Sequence, residues 1–145
     1  MSLSPSEASR RTLEICRSAP VIPVILIEDA ATAVPMAEAL VAGGLPVLEV
    51  TLRTPAALDA IRAMAKVEGG IVGAGTLLRR DDVLRAKDAG ATFGVSPGAT
   101  DSILAACEEA ELPLLPGAST ASEGMALLER GYTCLLYTSD AADEE

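Results

Sequence analysis

The stretch Val47-Leu48-Glu49-Val50-Thr51-Leu52-Arg53-Thr54 decides how the rest of the chain is interpreted. It is rich in β-branched residues and follows a pair of glycines, so it predicts a β-strand. Side chains alternate between the two faces of a strand. One face is ordinary core, and the other places a carboxylate and a guanidinium on either side of a hydroxyl: Leu48, Val50 and Leu52 against Val47, Glu49, Thr51 and Arg53.

Two interpretations of Glu49 and Arg53 are open at this point. A buried charge is costly unless it is paired or used. The two side chains could form a structural ion pair that closes the end of a barrel. Alternatively, Glu49 could be an acid/base carboxylate and Arg53 the group that binds an anionic substrate.

The composition excludes several classes of function. The chain has 145 residues, enough for one domain with a real core, and only 2% of them are aromatic. Its formal net charge is −10 and no basic stripe is present, which argues against nucleic acid as a partner. There is no histidine, which excludes histidine triads, histidine metal sites and histidine proton shuttles.

The cysteines and the N-terminal sequence indicate a cytoplasmic protein. Cys16, Cys107 and Cys134 form no CxxC pair, and their odd number favours free thiols in a reducing compartment. The N-terminal segment lacks the basic and apolar regions of a signal peptide. The longest wholly apolar run, residues 19–27, is too short to cross a membrane, so no membrane partner is expected.

A repeating pattern of strand and helix runs along the chain. Strands are predicted to begin near positions 21, 47, 71, 92, 112 and 132, with a helix after each of the first five. This alternation predicts a parallel sheet, either open and doubly wound or closed into a barrel. The regular unit length and the absence of a GxGxxG motif at the first turn favour the barrel.

Polar and small residues gather where successive strands end, which also favours the barrel, because those ends form its active face. The residues are Glu49 and Arg53, Gly75-Thr76, Ser96-Pro97-Gly98 and Gly117-Ala118-Ser119. The predicted fold is therefore an α/β protein of the (β/α)8 TIM-barrel type. It is incomplete here, with about five βα units and the start of strand six.

The sequence texture changes near the end of the chain. Residues 1–136 are predicted to form the partial barrel domain, and residues 137–145 are small, polar and acidic, with no strand or helix pattern. The ending that starts at Cys134 looks foreign to a barrel. The expectation is a truncated gene with a spurious 3′ end.

Taken together, the strand ends resemble the bacterial 2-keto-3-deoxy-6-phosphogluconate (KDPG) and 4-hydroxy-2-oxoglutarate (KHG) aldolases. The matching segments occur in family order over roughly residues 10–133. They are Val21-Ile-Pro-Val24, Ala42-Gly-Gly44, Leu48-Glu-Val-Thr-Leu-Arg-Thr54, Val72-Gly-Ala-Gly-Thr76, Ser96-Pro-Gly98, Leu115-Pro-Gly117 and Ser119-Thr120.

The resemblance implies a class I aldolase that works through a lysine Schiff base, without a metal or other cofactor. KDPG would be cleaved to pyruvate and glyceraldehyde 3-phosphate, and KHG to pyruvate and glyoxylate. By resemblance, Glu49 transfers protons, Arg53 and Thr76 hold the carboxylate of a small 2-keto acid, and Pro97 lines the pocket. The family assembly implied is a homotrimer.

The sequence departs from the family pattern at the nucleophile. The family's Schiff-base lysine stands in a Lys-Phe-Phe-Pro type segment on strand six, a position that falls at about Leu136 here. The only lysines are Lys66 and Lys87, both late in predicted helices. Strands seven and eight, which bind phosphate in the family, are also missing. The chain as given is therefore expected to be inactive.

Three other functions are compatible with the pattern. The first is the aldolase for the galactonate analogue of KDPG, which shares the pocket chemistry. The second is a different phosphate-binding barrel, such as an epimerase or a thiamine-phosphate synthase. The third is a non-catalytic barrel fragment that only binds partners or oligomerises.

Overall fold

The structure is a computed structural model that describes residues 2–137, and the predicted acidic tail from residue 138 onward lies outside the described residues. Within residues 2–137, six parallel strands form one sheet, and six α-helices and one short 3-10 helix (Ala30–Thr32) connect or flank them. The strands are β1 Val24–Ile25, β2 Val47–Thr51, β3 Ile71–Gly75, β4 Phe93–Ser96, β5 Leu114–Ala118 and β6 Leu136–Tyr137. The helices are α1 Pro5–Arg17, α2 Ala33–Ala42, α3 Ala57–Met64, α4 Arg80–Asp88, α5 Asp101–Glu109 and α6 Ala121–Arg130.

The strand order explains the architecture. Neighbouring strands in the sheet are also consecutive in the chain, in the order β1-β2-β3-β4-β5-β6, and every pair is parallel. Crossovers between parallel strands are right-handed, so steps that always go the same way place the helices on one face of the sheet. A doubly wound sheet reverses direction and uses both faces. The observed order is that of an incomplete barrel, which agrees with the prediction.

The two faces of the sheet pack separate cores. On the outer face, Leu48 and Val50 of β2 join the large cluster beneath the helices, as the alternation of that strand predicted. On the inner face, Val47, Phe93 and Val95 form a smaller cluster. Ile15 at the end of α1 packs against this inner cluster, so the first helix covers part of the face that carries no crossover helices. No helix among residues 2–137 has the length and apolar character needed to cross a membrane.

Strand β1 is shorter than the buried strand that the apolar residues 21–27 predict. Pro23 has no N–H to donate, and its carbonyl accepts from Glu49 N at 3.1 Å. At the last residue of the strand and two residues beyond it, backbone carbonyls accept from side-chain hydroxyls. Thr51 Oγ1 donates to Ile25 O at 3.1 Å, and Thr54 Oγ1 donates to Ile27 O. The association of β1 with β2 therefore depends partly on side-chain hydrogen bonds, which a prediction based on backbone strand pairing does not include.

The fifth strand also begins later than predicted, at Leu114 rather than near residue 112. Leu112 N donates to Cys107 O at 2.9 Å, which commits this part of the chain to the end of α5. The ladder starts only with Pro113, whose carbonyl accepts from Gly94 N at 2.8 Å.

The predicted start of strand six, at residues 132–135, is wrong. Tyr132 N donates to Leu127 O at 2.9 Å, and Thr133 N donates to Ser9 Oγ at 3.0 Å. These two donors are taken by α6 and α1, so they cannot pair with β5. The strand forms at Leu136–Tyr137, in register with Gly117 and Ala118.

The sequence pattern predicts helices over residues 5–18, 32–43, 54–67, 80–89, 100–110 and 120–130. All of these boundaries agree with the structure within two residues except those of α3, which is shorter at both ends. Residues 54–56 form a turn instead of the first helical turn, because Thr54 O accepts from Ala57 N at 3.3 Å. At the other end, Lys66 N and Val67 N bond to carbonyls three residues back, at 3.3 and 3.0 Å, which tightens and ends the helix.

A capping box starts α6, as its sequence predicts. Thr120 Oγ1 accepts from Glu123 N at 3.2 Å, and the Glu123 carboxylate accepts from Ser119 N at 2.8 Å and Thr120 N at 3.1 Å. These backbone N–H groups hold the pKa of Glu123 below its usual range. Gly131 ends the helix in the left-handed conformation, with φ of 105°.

Replacing the cap tests this helix start. Thr120→Ala removes the side-chain acceptor of the Glu123 N–H, so the free energy of unfolding should fall by about 1 kcal/mol. Urea unfolding followed by circular dichroism measures the change. Ser122→Ala, an exposed hydroxyl in the same turn, is the matched control. An equal loss in both variants would contradict the role of the cap.

Candidate active site

Glu49 lies on the inner face of β2, where the alternation of the strand placed it. Its register partner across the sheet is Gly73 of β3. The half-buried side chain faces a cavity of about 160 Å³ whose walls are mainly apolar. The apolar walls are Ile15, Ile22, Val24, Phe93, Val95, Leu115 and Leu136. This wall leaves the carboxyl few polar neighbours on the inner side.

The environment of Glu49 changes its acidity. Burial raises the pKa of this carboxyl above its usual range, and the positive charge of Arg53 partly opposes the shift. A carboxyl with a raised pKa can both give and take a proton closer to neutral pH than an ordinary glutamate. Such a group is suited to acid/base chemistry.

Arg53 lies just beyond the end of β2, and its side chain is exposed rather than buried as the strand pattern suggested. Its Nε donates to Thr51 Oγ1 at 3.4 Å, a long hydrogen bond. Among residues 2–137, no carboxylate lies within 4.0 Å of this guanidinium, so Glu49 and Arg53 do not form a direct ion pair. The guanidinium can therefore receive an anion from solvent.

Thr76 follows β3 directly and has an unusual backbone conformation. Its φ is 60°, a region that a β-branched residue rarely adopts. Hydrogen bonds on either side hold it there: Leu52 N donates to Gly75 O at 2.9 Å, and Leu77 N donates to Val95 O at 3.1 Å. Strain of this kind is common at ligand sites. The backbone conformation therefore indicates Thr76 as a candidate ligand-binding residue, independently of the sequence pattern.

Pro97 is exposed at the end of β4. A Cβ at Gly117 would overlap the backbone of Pro97, so the glycine allows the end of β5 to approach this proline closely. The strand ends that carry Arg53, Thr76 and Pro97 belong to three neighbouring strands. The structure thus brings these sequence-predicted positions together at the carboxyl-terminal ends of the strands, and Glu49 lies before the end of its strand.

Leu136 lies on β6 and lines the same cavity as Glu49. This is the position where the family pattern predicted the Schiff-base lysine. Both lysines of the chain lie elsewhere, on the exposed surface. Lys87 Nζ in α4 donates to Glu111 O at 3.0 Å, and Lys66 follows the end of α3. Neither lysine is among the residues that line the cavity.

The aromatic residue of the cavity wall, Phe93, was not predicted as a site residue from the sequence. Phe93 is the only phenylalanine of the chain, and its ring packs over Gly73, where any Cβ would overlap it. The space over Gly73 is thus occupied by an aromatic ring of the protein itself. The available signal was a single large aromatic residue in a strand otherwise made of small residues.

The structure also shows the state of the cysteines and of the side chains that could bind a metal. The three cysteines are free thiols, as predicted, and burial raises the pKa of Cys107 to about 12, which makes this thiol unreactive. Among residues 2–137, no three histidine, cysteine, aspartate or glutamate side chains come together in a group that could hold a metal ion.

The fold and the site define a class of protein. Parallel strands in sequential order, with a half-buried carboxyl on the inner face and an open guanidinium at the carboxyl edge, are typical of (β/α)-barrel enzymes. Comparison with known families narrows the class, because the family model for KDPG and KHG aldolase matches residues 12–142. The chain belongs to this family.

Individual relatives agree with the family assignment. The KHG/KDPG aldolase of Escherichia coli K12 is 52% identical over 118 residues, covering 81% of this chain and 55% of the relative. The crystal structure of the Zymomonas mobilis 2-keto-3-deoxy-6-phosphogluconate aldolase with 3-phosphoglycerate superposes with a TM-score of 0.82 at 50% identity, covering 85% of this chain and 59% of that one. The Legionella pneumophila KDPG aldolase, with pyruvate captured as a covalent carbinolamine, gives a TM-score of 0.77 at 41% identity, covering 89% and 60%. The chain thus spans about half the length of the curated relatives it matches.

The raised pKa of Glu49 predicts how stability depends on pH. The folded state holds the Glu49 proton more tightly than the unfolded state does. As pH rises from about 4.3, the pKa of an unperturbed glutamate, through the raised value, this carboxyl removes stability from the parent. Glu49→Gln has no proton to lose, so it should be more stable than the parent at pH 7, and the difference should vanish near pH 4.

Thermal melts between pH 4 and pH 8 measure this difference. The same replacement at the exposed Glu38 controls for the loss of one negative charge. A stability difference between Glu49→Gln and the parent that is constant over this range would contradict the raised pKa.

Proposed function

We propose that the chain carries the acid/base and carboxylate-binding groups of a class I aldolase. The substrate class is 2-keto-3-deoxy-6-phosphogluconate, which is cleaved to pyruvate and glyceraldehyde 3-phosphate, with 4-hydroxy-2-oxoglutarate as a second substrate that gives pyruvate and glyoxylate. The names of the relatives support the reaction class. One observation carries the proposal: the half-buried carboxyl of Glu49 and the side chain at position 136 face the same cavity.

The chemistry explains why a carboxyl is needed there. In class I aldolases, a lysine amine adds to the keto carbon, and the resulting carbinolamine loses water to give an imine. The imine accepts the electron pair of the breaking C–C bond, which leaves an enamine of pyruvate and an aldehyde. Each step moves a proton. We assign those transfers to Glu49, because its raised pKa suits both directions of transfer.

The substrate's carboxylate would be held at the edge of the sheet. Arg53 presents a guanidinium without a carboxylate partner within 4.0 Å in the described part of the chain, and a guanidinium can bind a carboxylate through two parallel hydrogen bonds. Thr76 would add a hydroxyl from the next strand end, and Pro97 would line the far side. The strained backbone of Thr76 supports a ligand role for this residue.

The nucleophile is the group that this chain does not supply. Leu136 occupies the position that we assign to the Schiff-base lysine, and a leucine cannot form an imine. The 145-residue chain is therefore proposed to bind a small 2-keto acid without forming a covalent adduct. The homotrimeric assembly implied by the family resemblance stays a prediction.

Replacing Arg53 tests the carboxylate site. Arg53→Ala removes a charge-assisted hydrogen bond, so pyruvate binding should weaken by about 10- to 100-fold. Titration with pyruvate followed by NMR measures the affinity. Arg17→Ala, at the exposed end of α1, makes the same change in net charge and should bind like the parent. If the parent binds no pyruvate at all, the chain is an inert barrel fragment and the proposal fails.

Restoring an amine at position 136 tests the catalytic geometry. Leu136→Lys places a primary amine in the cavity beside Glu49, where an apolar environment favours its neutral, nucleophilic form. With pyruvate and borohydride, this variant should gain the mass of one reduced pyruvate at residue 136, while the parent should gain none.

The neighbouring residue provides the matched control for this experiment. Tyr137 is 75% exposed, and the alternation of the strand turns it away from the cavity. Tyr137→Lys should therefore stay unmodified under the same conditions. Equal labelling of both variants would indicate unselective chemistry and would contradict the assignment of position 136.

A further inference from the structure

The side chain of Glu49 crosses the neighbouring strand at Gly75. If Gly75 carried a Cβ, that atom would overlap Glu49 Oε1 and lie 2.8 Å from the carboxyl carbon and 2.9 Å from Cγ. The three nearest heavy atoms to this empty position all belong to Glu49. The space that a side chain of residue 75 would fill is therefore occupied by Glu49, the proposed proton-transfer group.

The adjacent inner-face position on β3 explains why Glu49 lies over Gly75. The register aligns Glu49 with Gly73, and Gly73 with Phe93. The ring of Phe93 fills the space over Gly73, so the carboxyl cannot lie there. The remaining space on the inner face of β3 is at Gly75, two residues closer to the carboxyl edge of the sheet. The Phe93 ring thus packs over Gly73, and the Glu49 side chain packs over Gly75.

We propose that Gly75 is a positioning residue: its missing side chain holds the Glu49 carboxyl on the inner face of the sheet, next to the ends of β2 and β3. A methyl group at this position would push the carboxyl away from the cavity and toward solvent. The placement of the carboxyl follows from the geometry alone. Its importance for the reaction depends on the function proposed above.

The clash with Glu49 is tested by a set of paired variants. Gly75→Ala should lower Tm by roughly 5–10 °C, because overpacking of a formed site is destabilising. In a Glu49→Ala background the same replacement should cost almost nothing, because the overlapping atoms are gone. In a Glu49→Gln background, the shape of the side chain is kept and the full loss should remain. Gly98→Ala, whose Cβ would meet no atom within 4 Å, should leave Tm unchanged.

The position of the carboxyl is tested by titration. NMR of chains labelled with carbon-13 at the glutamate carboxyl groups follows Glu49, which Glu49→Gln identifies by the loss of its signal. In Gly75→Ala, the Glu49 midpoint should fall toward that of an ordinary glutamate, and in Gly98→Ala it should stay at the parent value. If Gly75→Ala folds and the midpoint does not move, or if Glu49→Ala does not restore its stability, the proposal is overturned.

These measurements are separate from the test of function. Both need only a folded chain, with no substrate present. If neither the parent nor any variant binds pyruvate, while Glu49→Ala still restores the stability of Gly75→Ala, the proposed function is refuted. The positioning by Gly75 then stays intact. Normal pyruvate binding, with no coupling between residues 49 and 75 in stability, would refute the positioning by Gly75 and leave the proposed function intact.

Discussion

The site depends on the removal of one carboxyl group from water. The charge of Glu49 would be well solvated in an exposed position, and the apolar inner face raises the free energy of its ionised form. Within residues 2–137, the positive charge that opposes this effect is that of Arg53, which acts without direct contact. The balance leaves the pKa of the carboxyl raised and does not fix the carboxyl in an ion pair. A direct pair with Arg53 would have lowered the pKa and occupied the guanidinium.

The fold supplies this environment through strand order. Because each crossover steps in the same direction, the helices cover the outer face, and the inner face is left to side chains and to the end of α1. Glu49 projects from the middle of a strand, where the backbone is fixed by neighbours on both sides. Arg53, Thr76 and Pro97 follow strands, in segments that face solvent or the sheet edge. The candidate acid/base carboxyl thus lies on a strand, and the candidate binding residues lie in the segments that follow the strands.

Much of this arrangement could be predicted from the sequence, and the exceptions have physical causes. The alternation of strands and helices, the face of β2 that carries Glu49 and the capping box at Thr120 follow from local patterns, which a single stretch of chain determines. The short β1 and the late start of β6 depend on hydroxyl and backbone donors whose partners lie far away in sequence, at Ile25, Ile27 and Ser9. The use of Gly73 and Gly75 could not be predicted either, because both look like free space until the register shows which side chains enter it.

The carboxylates that begin two helices have a consequence for anion recognition. Glu123 accepts the N–H groups of Ser119 and Thr120 ahead of α6, and Asp82 accepts those of Leu78 and Arg79 ahead of α4, at 3.0 and 3.1 Å. The positive end of a helix dipole is an ordinary binding place for phosphate or carboxylate. At these two helices the protein has already filled that place with its own negative charge. A dissolved anion that approaches either helix end therefore meets a carboxylate instead of free N–H groups, so these two helix dipoles do not attract it there.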